Sequence, residues 1–206
     1  MTDPAATTPT HRRIALVGYR GTGKSTIGRL VADRLHDAGW SDRFADTDSL
    51  VEQTAGRSIA DIFAREGEEA FRDLESTALD AALASGDVIA TGGGIVLRPE
   101  NRIRLRESAV VFWLQAPADV LSDRIAADAK SDSQRPALSS LPAHEEVRAL
   151  LAERQPLYSE VADYELQTDR ISPDAAADYV VWGYRQSGGM AVAENVTARW
   201  TDGEPT

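Results

Sequence analysis

Near the start of the chain, the apolar run Arg13-Ile14-Ala15-Leu16-Val17 leads directly into Gly18-Tyr19-Arg20-Gly21-Thr22-Gly23-Lys24-Ser25. Downstream, Ile27, Leu30, Val31 and Leu35 recur at helical spacing. A strand, a G-x-x-x-x-G-K-S turn and a helix, in that order, leave few folds open. The apolar run reads as a buried parallel strand, and Ser25 to about His36 as a helix with one apolar stripe. The residue types explain the turn. Glycines at 18, 21 and 23 let backbone N–H groups surround phosphate oxygens, and the helix N-terminus adds partial positive charge. Lys24 is expected to reach the β- and γ-phosphates of ATP or a similar nucleotide, and the Ser25 hydroxyl to ligate Mg²⁺. Arg20, Gly21, Thr22, Gly23 and Thr26 complete the expected nucleotide-binding set.

The same alternation continues. Strands are expected at Arg43-Phe44-Ala45, Val88 to Thr91, Ala109 to Leu114 and Tyr164 to Gln167. Helices are expected from Ser58, a suitable N-cap, to Ala64, and from Glu68 to Ser85 after an interruption at Gly67. Others should run from Pro117 to about Ala127, from Glu145 to Arg154, and onward from Ser172-Pro173-Asp174. Five short apolar strands alternating with amphipathic helices imply an α/β fold of three layers, α/β/α, around a central five-stranded parallel sheet. Asp128 to Leu141 reads as a polar, Ser-rich loop. The segment 1–12 and the tail 186–206 fall outside the pattern and are expected to be mobile, leaving one domain over 13–185.

Composition narrows the function classes. With 206 residues and 42% of them hydrophobic, the chain can bury one ordinary core. It has no cysteine, which excludes disulfides and thiolate metal sites, and its histidines, His11, His36 and His144, are scattered. The formal net charge of -11 argues against nucleic acid and anionic membranes as partners. No apolar window approaches a membrane span, and residues 1–10 lack the apolar core of a signal peptide, so the expectation is a soluble cytoplasmic protein; a monomer is expected separately. A protein this acidic that handles phosphates must gather a few arginines locally.

Asp46-Thr47-Asp48 follows the second strand, on the edge where open α/β sheets bind ligands. Taken as extended chain, its two carboxylates are expected to diverge and hold different jobs, one toward Mg²⁺ and the phosphates, the other toward a substrate hydroxyl. Both suit equally well as caps for a helix starting near Ser49. Gly92-Gly93-Gly94 ends the third strand on the same edge and suits close approach of a ligand. Arg72, Arg135 and Arg154 are candidates for anion capture, although a lone helical arginine is more often simply solvated. Arg135, in the polar loop, suits a lid that closes over transferring phosphate.

Together, the glycine loop, Asp46-Thr47-Asp48, Gly56-Arg57-Ser58-Ile59, Phe71-Arg72-x-x-Glu75, Gly92-Gly93-Gly94, Arg135-Pro136 and Arg154-Gln155-Pro156-Leu157-Tyr158 resemble the shikimate kinase family. The resemblance covers roughly 13–185. It implies the P-loop kinase architecture, with a helical substrate-binding insertion at about 46–75 and a lid at about 126–144. It implies transfer of the ATP γ-phosphate to the 3-hydroxyl of shikimate, with shikimate and ATP as the small-molecule partners. By the same resemblance Asp48 is the base and holds substrate hydroxyls, while Arg72 and Arg154 pair with the substrate carboxylate beside Gly92, Gly93 and Gly94. Ile59, Phe63, Phe71 and Leu138 would form an apolar wall. Asp46 would place Mg²⁺ with Ser25, Arg135 would act on the phosphates, and Arg124 and Arg170 would lie near the adenine. Rival readings are a gluconate kinase, a nucleoside monophosphate kinase, or a nucleotide-binding regulatory module without catalysis. A module of that last kind should have lost Lys24, Asp48 or the lid arginine, and all three positions are filled.

Overall fold

The first apolar run forms the middle of the sheet. In a computed structural model, residues 12–40, 43–128 and 142–188 are described, with the backbone of a short ribbon at 200–201 and 204–205. Five strands, β1 (Arg13–Val17), β2 (Phe44–Asp46), β3 (Val88–Ala90), β4 (Ala109–Gln115) and β5 (Tyr164–Gln167), pair in the order β2-β3-β1-β4-β5. Every pairing in this sheet is parallel. Each connection must therefore cross a face of the sheet, and helices do so. They are α1 (Lys24–Asp37), α2 (Thr47–Ala55), α3 (Ile59–Ser85), α4 (Pro99–Ser108), α5 (Ala118–Ala127), α6 (Ala143–Val161) and α7 (Pro173–Gln186).

Alternate residues of the central strands serve opposite layers, as the two-residue period of a strand requires. Ile14, Leu16, Val110 and Phe112 pack against Ile27 and Val31 of α1 and Ala176 and Val180 of α7. Ala15, Val17, Val111 and Trp113 pack against Leu79 of α3, Leu105 of α4 and Tyr158 of α6. This is the expected three-layer α/β/α fold. A separate cluster, Val51, Ile59, Ile62, Phe71 and Ala78, holds α2 against the start of α3 and makes them one helical unit beside the sheet. Gly67, at φ +83 and ψ −179, breaks α3 where the sequence suggested, in a conformation open to little besides glycine.

Three elements depart from expectation. Helix α2 starts at Thr47, directly on the end of β2, rather than near Ser49. Helix α4 was not anticipated between Gly94 and Ala109: it carries only Asn101 and Leu105 inward, so its sequence shows no apolar stripe. Helix α6 runs through Pro156 to Val161 instead of ending at Arg154. Burial of Tyr158 and Val161 holds its last turns despite the hydrogen bond that proline forfeits. Among the described residues no helix is long and apolar enough to cross a membrane. The expected mobile segment 1–12, apart from residue 12, lies outside the described residues, as does most of the tail from 186.

Candidate active site

Parallel strands bring the segments at their carboxyl ends to one sheet edge: the loop after β1, Asp46 ending β2, and Thr91 to Gly94 after β3. A cleft of about 330 Å³ opens there, with Arg20, Lys24, Ser25, Asp46, Asp48 and Gly93 on its walls. Gly23 caps α1 in the left-handed region, with no side-chain cap and no acid in the first turn, so the helix's leading amides are left to an anion. Lys24 Nζ donates to the carbonyls of Gly18 and Tyr19, each at 2.8 Å.

The Asp-Thr-Asp segment resolves the choice between cap and site in an unexpected way. Asp46 Oδ1 accepts the Asp48 and Ser49 amides at 3.0 and 3.3 Å, capping α2, while Asp46 Oδ2 accepts the Ser25 hydroxyl at 2.6 Å. One carboxylate thus closes a helix and meets the loop serine. Extended chain would not part the two aspartates, contrary to expectation, because residues two apart in a strand share a face. They part because the strand stops at Asp46 and Asp48 belongs to the first turn of α2.

Two buried arginines converge on the glycine turn from different helices. Arg72 of α3 is 5% exposed; its Nη1 donates to the fully buried Glu75 at 2.7 Å and its Nη2 to Glu68 at 2.8 Å. Its guanidinium lies 5.1 Å from the Phe71 ring centre. Arg154 of α6, equally buried, donates through Nη1 to the Gly93 carbonyl at 3.2 Å and lies 5.6 Å from the Tyr19 ring centre. Both Nε atoms are buried without a hydrogen-bond partner. A β-carbon at Gly94 would stand 2.1 Å from Arg72 Nη1, so a side chain there would require the guanidinium to shift. Because Glu75 and Glu68 pin that guanidinium, Gly94→Ala is expected to displace it and raise the acceptor KM about tenfold or more, with ATP KM little changed, since ~1 Å of misplacement can cost up to ~10²-fold. Steady-state kinetics on the folded variant checks this.

Phe63 and Phe71 lie 4.7 Å apart between ring centres, beside Ile59. Ile59 and Phe71 are fully covered by protein, so they support the insertion from within and leave Phe63 as the half-buried member. Arg124 of α5 donates to the Gly21 carbonyl at 3.2 Å and to the Thr168 carbonyl at 2.9 Å. It walls a groove of about 250 Å³ with Gly21, Thr22, Thr168 and Pro173. Arg170 does not line this groove: its side chain is 83% exposed, 3.7 Å from Asp169. Its neighbours Thr168, Ile171 and Ser172 do. Arg135 and Leu138, with residues 129–141 of the expected lid, lie outside the described residues.

Sequence reasoning passed over Thr47 and Tyr158. Thr47, fully buried, accepts the Gly92 N–H at 2.8 Å, and Tyr158 donates to the Gly93 carbonyl. Burial pushes the Tyr158 phenol well above its ordinary pKa, so it stays a neutral donor. Both belong to motifs whose charged members, Asp46, Asp48 and Arg154, carry the more obvious chemistry.

The profile of the family described as shikimate kinase matches residues 20–183, the span that contains these groups from Arg20 onward. The chain belongs to the shikimate kinase family. The shikimate kinase of Oleidesulfovibrio alaskensis is 48% identical over 165 residues, covering 80% of this chain and 91% of that protein. The shikimate kinase of Symbiobacterium thermophilum is 48% identical over 161 residues, covering 77% and 88%. The solved structure of shikimate kinase from Acinetobacter baumannii in complex with shikimate is similar at TM-score 0.76 and 33% identity, over 86% of this chain and 95% of that one. Membership in the shikimate kinase family makes this chain a phosphotransferase with ATP as co-substrate.

Proposed function

We propose that the protein transfers the γ-phosphoryl group of ATP to the 3-hydroxyl of shikimate, giving shikimate 3-phosphate and ADP on the route to chorismate. The observation that carries this is the convergence of Arg72 and Arg154 on the glycine turn whose Gly93 shares a cleft with Asp48 and the phosphate loop. Guanidinium forks suit a carboxylate, and an aspartate suits ring hydroxyls.

In this reading the acceptor oxygen bonds to the γ-phosphorus as the bond from that phosphorus to the β-phosphate oxygen breaks. The hydroxyl proton passes to the Asp48 carboxylate, and ADP departs. Lys24 and the amides at the start of α1 offset charge on the phosphates. Ser25 Oγ and Asp46 Oδ2, hard oxygen donors 2.6 Å apart beside the loop, fit Mg²⁺, which needs few protein ligands when phosphates supply others. When bound, Mg²⁺ would neutralise phosphate charge. Arg124 suits the nucleotide side, and Arg135 the phosphates.

A coupled ADP-release assay with ATP and Mg²⁺ tests the substrate. Turnover is expected with shikimate and not with gluconate or nucleoside monophosphates; a response to gluconate alone would replace this reading.

A further inference from the structure

Two side chains that phosphoryl transfer does not itself use hold adjacent residues of the glycine turn. The β2–β3 ladder ends with Asp46 opposite Ala90. Just beyond it the chains part, β2 into α2 and β3 into the turn, and the Thr47 hydroxyl keeps them together by accepting the Gly92 N–H at 2.8 Å. At the next residue, the Tyr158 hydroxyl donates to the Gly93 carbonyl, which also takes Arg154 Nη1 at 3.2 Å. Thr47 immediately precedes Asp48. Tyr158 follows Arg154 by four residues and so shares its helix face. Each bond therefore ties the turn to an element bearing one charge of the acceptor site.

We propose that Thr47 and Tyr158 are positioning residues that set the separation of Asp48 and Arg154 across the acceptor, with the glycine turn as their common anchor. This rests on the shikimate kinase reading of the cleft. Both side chains are fully buried, so water has no easy route to replace either bond; losing the Thr47 hydroxyl leaves the Gly92 N–H without that partner, and losing the Tyr158 hydroxyl leaves the Gly93 carbonyl to Arg154. The consequence differs by side. Loosening Thr47 moves the base relative to the transferring group and belongs in kcat. Loosening Tyr158 frees the carbonyl that shares Arg154 and belongs in the acceptor KM.

The test compares Thr47→Val, Thr47→Ser, Thr47→Ala and Tyr158→Phe with the wild-type chain, in steady-state kinetics with shikimate and ATP and in thermal unfolding. Thr47→Val is expected to lower kcat about tenfold or more with ATP KM within about twofold, and Thr47→Ser to restore most of it. Tyr158→Phe is expected to raise shikimate KM several-fold, by roughly 3–10, at nearly unchanged kcat. If Thr47→Val does not fold, Thr47→Ala carries the same expectation. Wild-type kinetic constants in the folded Thr47 and Tyr158 variants, even with lowered unfolding temperatures, would overturn the proposal and leave both residues purely structural. Equal changes toward ATP and shikimate would overturn it too. Absence of shikimate turnover in the wild-type chain is a different failure, one that removes the substrate reading itself.

Discussion

Asp48→Asn is expected to lower kcat by about 10²- to 10⁴-fold, the usual range for losing a positioned general base. The amide matches the carboxylate in shape, and the cap of α2 belongs to Asp46, so the start of the helix should survive. What goes is the negative charge and the site that takes the acceptor proton. ATP affinity, measured by calorimetry without acceptor, should stay within about twofold, because the loop and α1 are untouched. Turnover equal to wild type would remove Asp48 from the role of base.

Lys24→Ala should act on the other half of the cleft. The residue is 8% exposed, and its ammonium is held between the Gly18 and Tyr19 carbonyls, where it both ties the loop together and faces incoming phosphate charge. Removing it deletes a preorganised charge in a partly desolvated site, an effect of about 10²- to 10³-fold in kcat for comparable donors. ATP affinity should fall as well, which separates this variant from Asp48→Asn. Single-turnover rates with saturating ATP isolate the chemical part. Normal activity would sink the assignment of the loop to the phosphates.

Much of the architecture was readable because local signals and tertiary placement agree. The apolar runs at 14–17 and 109–114 are buried on both faces, as central parallel strands must be, and Gly67 breaks α3 where a glycine interrupts a helical pattern. Reading failed where the local signal was weak or outvoted. Helix α4 shows charge all round, with Leu105 as its one fully buried apolar anchor. Pro156 argues locally for a helix end, and the packing of Tyr158 against Trp113, 5.8 Å between ring centres, overrules it.

The phosphate loop is determined by the chain alone. Its geometry is a matter of a few adjacent backbone angles, and glycines at 18, 21 and 23 encode positive φ values of 138, 81 and 91° within six residues. The acceptor half is different in kind. Arg72, Gly93 and Arg154 are far apart in sequence, and each arginine taken singly looks like an ordinary solvated residue of a helix. Only the packing of α3 and α6 on one face of the sheet rotates both guanidiniums inward onto the turn after β3. Thr47 and Tyr158 are decided at that same level. No local rule marks them, because their function lies in which buried backbone atom the fold places opposite their hydroxyls.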